Sequence, residues 1–168
     1  MTSENQDAVA LLKADHREVE QLFSKYEKAR GDGRKKGLAE EICKGLTIHA
    51  MIEEEIFYPA CEGKVDEDLL KEAYVEHDGA KILIAQIEAG VPDDEFYDAK
   101  MTVLQEQIEH HVEEEEKRLE GIFSQARKAG LDMDALGQQL ATRKKELLAK
   151  ADAGALPEPA LSTMEPAA

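Results

Sequence analysis

Four long stretches of this chain, with a proline only near the end of the second at Pro59, place apolar side chains every three or four residues, and none alternates them every second residue. That spacing belongs to helices with one buried face, so no sheet is expected. Glycine-containing breaks at Gly31-Asp32-Gly33, Glu62-Gly63-Lys64, Gly90-Val91-Pro92-Asp93 and Gly130-Leu131-Asp132 separate the stretches. The reading is helices over 7–30, 36–61, 66–89, 94–128 and 133–152. Ser3 or Asp7, Asp66, Asp93 or Asp94, and Asp132 are the expected N-caps, and the glycines at 31, 63, 90 and 130 sit where helices exit. The stripes run Val9, Leu12, Val19, Phe23, Tyr26; Leu38, Ile42, Leu46, Ile56, Ala60; Leu70, Tyr74, Ala80, Ile84, Ile87; and Met101, Leu104, Ile108, Leu119, Ile122. Four such helices with short connections predict an all-α fold, an up-down-up-down four-helix bundle. The fifth helix, with Leu136, Leu140 and Leu147, then packs outside it. The expected organisation is a bundle over 1–130, an extra C-terminal helix over 131–153, and a disordered Ala/Pro-rich tail over 154–168.

Charge narrows the function. With 37 acidic against 21 basic side chains the net charge is −16, which disfavours nucleic acid and anionic membrane surfaces and is compatible with cation binding. No apolar run approaches the length of a membrane span, and the first residues carry neither a basic nor an apolar leader segment. Cys43 and Cys61 form neither a disulfide framework nor a zinc cluster. A cytoplasmic location is the expectation.

The histidines carry the chemistry. His16, His49, His77 and His111 each continue the apolar stripe of a different bundle helix, near its middle. Mid-helix positions of antiparallel helices share one layer, so four imidazoles converge on one slab of the core. Glu53 and Glu115 follow His49 and His111 by four residues, on the same helical faces. A carboxylate buried there is costly unless paired or metal-bound. Two Glu and four His exceed what one catalytic zinc takes and suit an open two-metal site. Glu113, Glu114 and Glu116 read as a solvated face. His110 with Glu114 has the same spacing as His111 with Glu115, but His110 follows Val103 and Gln107 onto a polar flank, so the inner pair is preferred.

His16, the stretch His49-Ala-Met-Ile-Glu53-Glu-Glu-Ile-Phe-Tyr-Pro59, Glu76-His77, and His110-His111-Val-Glu-Glu-Glu115 together resemble the hemerythrin-like (HHE cation-binding) family over residues 7–128. The resemblance implies two iron ions bridged by Glu53 and Glu115, with an oxo, hydroxo or water bridge and with His16, His49, His77 and His111 as terminal ligands. Oxygen-carrying members of the family place a second histidine four residues from the first on the third helix. Here the positions either side of His77 are Ala73 and Lys81, so one iron is expected to lack a nitrogen donor. Tyr74 and Glu20 are candidates for that place, while Phe57, Tyr58 and Pro59 read as packing. The expected ligands are dioxygen, peroxide or nitric oxide, in a protein that senses, stores or scavenges them or iron. A di-iron oxidase or peroxide-decomposing enzyme is the alternative, and a metal-free helical interaction module a third reading.

Overall fold

Asp7 starts the first helix by accepting the Ala10 amide at 2.8 Å, satisfying a backbone donor that has no helical partner. The alternative start at Ser3 lies outside residues 6–165, which the computed structural model describes. Helix α1 spans Ala8–Lys28 and α2 spans Asp32–Ile52; a π-helical turn, Glu53–Phe57, carries α2 directly into the short α3, Tyr58–Cys61. Then follow α4 (Glu67–Ala89), α5 (Tyr97–Glu116), α6 (Ile122–Lys128) and α7 (Met133–Asp152). Asp66 and Asp132 cap α4 and α7 through the Leu69 and Ala135 amides. Gly63 and Gly130 follow the ends of their helices with φ of 71° and 82°, and Gly31 leads into α2 with φ of 87°, a conformation that suits a residue without a Cβ.

The bundle is the expected one. α1 packs on α2 and α5, and α4 packs on α2 and α5, closing a four-sided arrangement. Its apolar interior has two parts. Leu12, Ile52, Phe57, Ile122, Phe123 and Leu140 fill one end, and Phe23, Ile42, Leu46, Ile84, Met101 and Leu104 fill the other. Each such side chain contributes about 1.5–3 kcal/mol by leaving water, so the layer between them is clamped from both sides. α7 lies outside the four, against α1 and α2. It approaches closely at Gly137, where a Cβ would stand 2.9 Å from the Ala8 nitrogen. Among the described residues no helix is long and apolar enough to cross a membrane.

Three expectations need correction. The helix expected over 94–128 begins at Tyr97 and breaks after Glu116. Leu119, expected in the core stripe, is 77 % exposed with φ of 71°. Four consecutive glutamates, Glu113 to Glu116, meet the negative end of the helix dipole there and favour termination. The turn folds back so tightly that a Cβ on Gly121 would fall 2.5 Å from the Glu115 carbonyl oxygen. Second, α2 starts at Asp32, earlier than expected, and contains the π turn. Third, the tail is not disordered over its described part. Asp78, fully buried, accepts the amides of Ser162 at 2.8 Å, Thr163 at 2.7 Å and Met164 at 3.0 Å, and the Thr163 hydroxyl at 2.7 Å. Burial would raise this carboxyl, but the donors outweigh it and hold it at about 2. Ala/Pro composition predicts a loose chain; the buried acceptor that docks it lies 84 residues away from Ser162.

Candidate metal centre

The four imidazoles of the shared layer meet as two pairs. His16 Nε2 and His49 Nε2 are 3.1 Å apart, and so are His77 Nε2 and His111 Nε2. Glu53 and Glu115 lie between the pairs, both fully buried. Each turns one oxygen to each side. Glu53 Oε1 is 3.1 Å from His49 Nε2, while its Oε2 is 3.1 Å from His77 Nε2. Glu115 Oε2 is 3.3 Å from His16 Nε2, while its Oε1 is 3.3 Å from His111 Nε2. The donor atoms form two clusters, His16–His49–Glu53–Glu115 and Glu53–His77–His111, each within 4.8 Å. Glu53 belongs to both.

Every imidazole is held from behind by a carboxylate on Nδ1. His16 meets Glu116 at 2.8 Å, His49 meets Asp15 at 3.0 Å, His77 meets Glu54 at 3.2 Å and His111 meets Glu76 at 3.4 Å. An N–H on Nδ1 donating to a carboxylate leaves the Nε2 lone pair facing inward, the tautomer a metal ligand needs. The carboxylates are braced in turn. Arg17 holds Glu116, Lys144 of α7 holds Asp15, and Lys81 holds Glu54 at 2.9 Å. Lys81 also donates to the Ala160 carbonyl at 2.9 Å, so the docked tail reaches the His77 support. Glu116 is thus a support for His16 rather than part of a solvated face.

Tyr58 is the residue that sequence reading misplaced. Its hydroxyl lies 3.1 Å from Glu53 Oε2, 2.5 Å from Glu115 Oε1, and 3.3 Å from both His77 Nε2 and His111 Nε2. It stands beside the pair expected to lack a donor, where Tyr74 or Glu20 was expected. Tyr74 packs edge-on against the Tyr58 ring, and Glu20 pairs with Arg17 on the surface. The π turn is the cause. In a regular α-helix a residue five positions after Glu53 points well away from it; here the Tyr58 amide bonds to the Glu53 carbonyl, bringing both side chains to one face. Only an atypical helical turn could reveal this, and residue spacing does not announce one.

The protonation pattern fits a site that gathers positive charge. Burial would raise Glu53, but the His49 charge and the adjoining His111 and His77 imidazoles hold it well below its usual range. Burial and Glu53 would both raise Glu115, yet His111 and His16 hold it at about 2. Burial would lower His49, but Glu53 and Asp15 push it up to about 10. Burial raises the Tyr58 phenol, and the two glutamates push it further. Burial also raises the Cys43 and Cys61 thiols to about 12, so neither is a reactive thiolate.

A pH prediction follows for metal-stripped protein. His49 titrates at about 10 in the fold against 6.5 ordinarily, so its stabilising charge is fully present below 6.5 and lost as pH rises towards 10. The urea midpoint of stripped protein is expected to fall steadily across that window. A flat midpoint would mean the imidazole is uncharged there.

The donor set passes a direct test of fit. Glu53 Oε1 and Glu115 Oε2 are buried and accept no hydrogen bond, an arrangement that costs about 1–3 kcal/mol per atom unless a cation satisfies it. The hemerythrin HHE cation binding domain matches this sequence over residues 7–123. The chain belongs to the hemerythrin HHE cation-binding family. A hemerythrin HHE cation binding domain-containing protein of Mycobacterium kansasii has a similar structure, with a TM-score of 0.71 at 20 % identity, covering 89 % of this chain and 94 % of that one. A DNA nickase of Nostoc sp. strain PCC 7120 is 29 % identical over 109 residues, 65 % of this chain and 31 % of the nickase. The chain therefore spans about a third of that relative. Within the HHE domain described here, all six residues singled out for metal lie in one layer, whereas the His110 side chain is 65 % exposed.

Proposed function

We propose that this HHE domain is a non-haem di-iron protein that senses, stores or scavenges dioxygen, peroxide, nitric oxide or iron itself. In this reading Glu53 and Glu115 bridge two iron ions, with His16 and His49 on one and His77 and His111 on the other. The carrying observation is that both carboxylates present one oxygen to each histidine pair, and that Glu53 Oε1 and Glu115 Oε2 have no other partner. Iron suits this mixture of imidazole and carboxylate and, when bound, supplies a redox-active centre with room for a small ligand.

The chain's own residues perform the rest. Asp15, Glu54, Glu76 and Glu116 keep each Nε2 aimed inward and raise its basicity. Tyr58 holds a proton between the two glutamates on the His77–His111 side. The alternative reading, an oxidase or peroxide-decomposing enzyme, would use this phenol as a hydrogen-bond donor to a bound substrate. DNA cleavage, known for the Nostoc relative, forms no part of the proposal: a chain of net charge −16 repels phosphate.

Protein purified aerobically from iron-replete cells is expected to carry about two iron ions per chain, since one ion would leave part of the buried carboxylate charge unmatched. Metal analysis with the ultraviolet-visible spectrum checks this, and one tightly bound ion would overturn the bridging assignment. Chelation is expected to lower the melting temperature by about 10 °C, the equivalent of losing a ligand held at about a thousand times its Kd.

A further inference from the structure

A cavity of about 280 Å³ opens off the histidine layer. It is lined by Val19 and Leu22, three and six residues beyond His16, and by Leu46, three before His49. Ala80 and Ile84 continue it three and seven residues beyond His77, and Ile108 three before His111. Because successive helices run in opposite directions, these offsets all point the same way along the bundle. At 1.5 Å per residue the cavity reaches about 10 Å from the imidazoles, toward the end where α1 finishes and α2 begins. Ile108, from the core-facing stripe of α5, and Leu22, packed against the core from α1, are only half-buried, as their position on this space requires. Exposed Glu18, Glu41 and Lys44 form part of its rim.

The size decides what the cavity suits. A water or a diatomic molecule needs about 30 Å³ of liquid volume, and an apolar cavity of about 150 Å³ in another protein holds benzene. Besides the histidines and the rim, the polar side chains on the wall are Thr47 and the already paired Asp15, Lys81 and Lys144, so a charged body would lose its hydration with little replacement. At the histidine layer each Nε2 already faces an oxygen of Glu53 or Glu115 at 3.1–3.3 Å, so a further carboxylate finds no unmatched partner there.

We propose that this cavity binds an uncharged organic molecule with an apolar body and one oxygen-bearing end. The body lies against Val19, Leu46, Ala80 and Ile84, and the oxygen faces the Nε2 nitrogens. This names a substrate class for the centre proposed above, and it rests on that reading for the role of the polar end; occupancy of the apolar walls does not depend on metal.

The test uses the full chain, iron-loaded and chelator-treated, with octan-1-ol and octanoate as probes read by saturation-transfer NMR. Octan-1-ol is expected to half-saturate both forms near about 1 mM and to bind at least about tenfold more tightly than octanoate. Ala80→Phe fills the cavity and is expected to abolish octanol binding with iron content unchanged. Leu22→Trp, at a half-buried wall that tolerates bulk, is expected to weaken binding at least about tenfold and serves if Ala80→Phe does not fold. No octanol binding, octanoate binding as tight as octanol, or wild-type binding by a folded filled variant would overturn the site. Octanol binding by protein that never holds iron would sink the di-iron reading and leave the cavity; two irons without octanol binding would do the reverse.

Discussion

Glu53→Ala is expected to empty both metal positions at once. Its carboxylate contributes an oxygen to the His16–His49 side and another to the His77–His111 side, so no single-pair failure follows from its loss. The substitution also leaves His49, pushed up to about 10 by this glutamate, as a buried positive charge with Asp15 as its remaining close acid. Breaking a buried ionic pair from one side costs about 3–5 kcal/mol. Iron content near zero with a lower melting temperature is the expected result. Glu54→Ala provides the contrast, because Glu54 touches His77 through Nδ1 and is bound by Lys81. Loss of such a support weakens metal affinity about 10–100-fold at one position, so this variant should retain more than half its iron when loaded in excess. Equal iron loss in the two variants would contradict the shared role of Glu53.

His111→Ala and His110→Ala separate two neighbours with opposite surroundings. His111 is buried, with Nε2 3.1 Å from His77 Nε2 and 3.3 Å from Glu115 Oε1. His110 lies about 100° further round α5, its side chain 65 % exposed and its nearest acid, Glu76, 3.6 Å away. His111→Ala should drop iron to one ion per chain or fewer and destabilise the fold by about 3 kcal/mol, because Glu115 loses one of its charged partners inside the core. His110→Ala should stay within about 0.5 kcal/mol of wild type, with full iron. Iron content and urea midpoints of the two proteins measure this, and the reverse ranking would require α5 to be rotated by one residue.

The histidine layer was legible because one pattern served two purposes. The stripe that buries Leu12, Val19 and Phe23 also carries His16, and the same holds for the other three helices, so the fold could not be read without the four imidazoles appearing in its middle. The outer carboxylates were hidden by composition. In a chain with 37 acids, Asp15, Glu54, Glu76 and Glu116 look like solubilising charge, and only tertiary packing distinguishes them. Tyr58 was hidden by geometry, since a 3.6-residue period cannot anticipate a wider turn. Leu119 was misplaced for the opposite reason. Its spacing suited the stripe, but α5 ends three residues earlier at Glu116, under the glutamate run and the tight turn at Gly121.

The segments beyond the bundle bear on where this protein can be cut. The family match stops at residue 123, which invites a minimal recombinant fragment ending soon after it. Such a fragment would lack Lys144, which braces Asp15 behind His49. It would also lack Ala160, whose carbonyl steadies Lys81 and thereby Glu54 behind His77. One histidine of each pair would lose its outermost anchor while every proposed ligand remained in the sequence. A truncated fragment that bound metal weakly would therefore misreport the longer chain, whose tail is folded against α4.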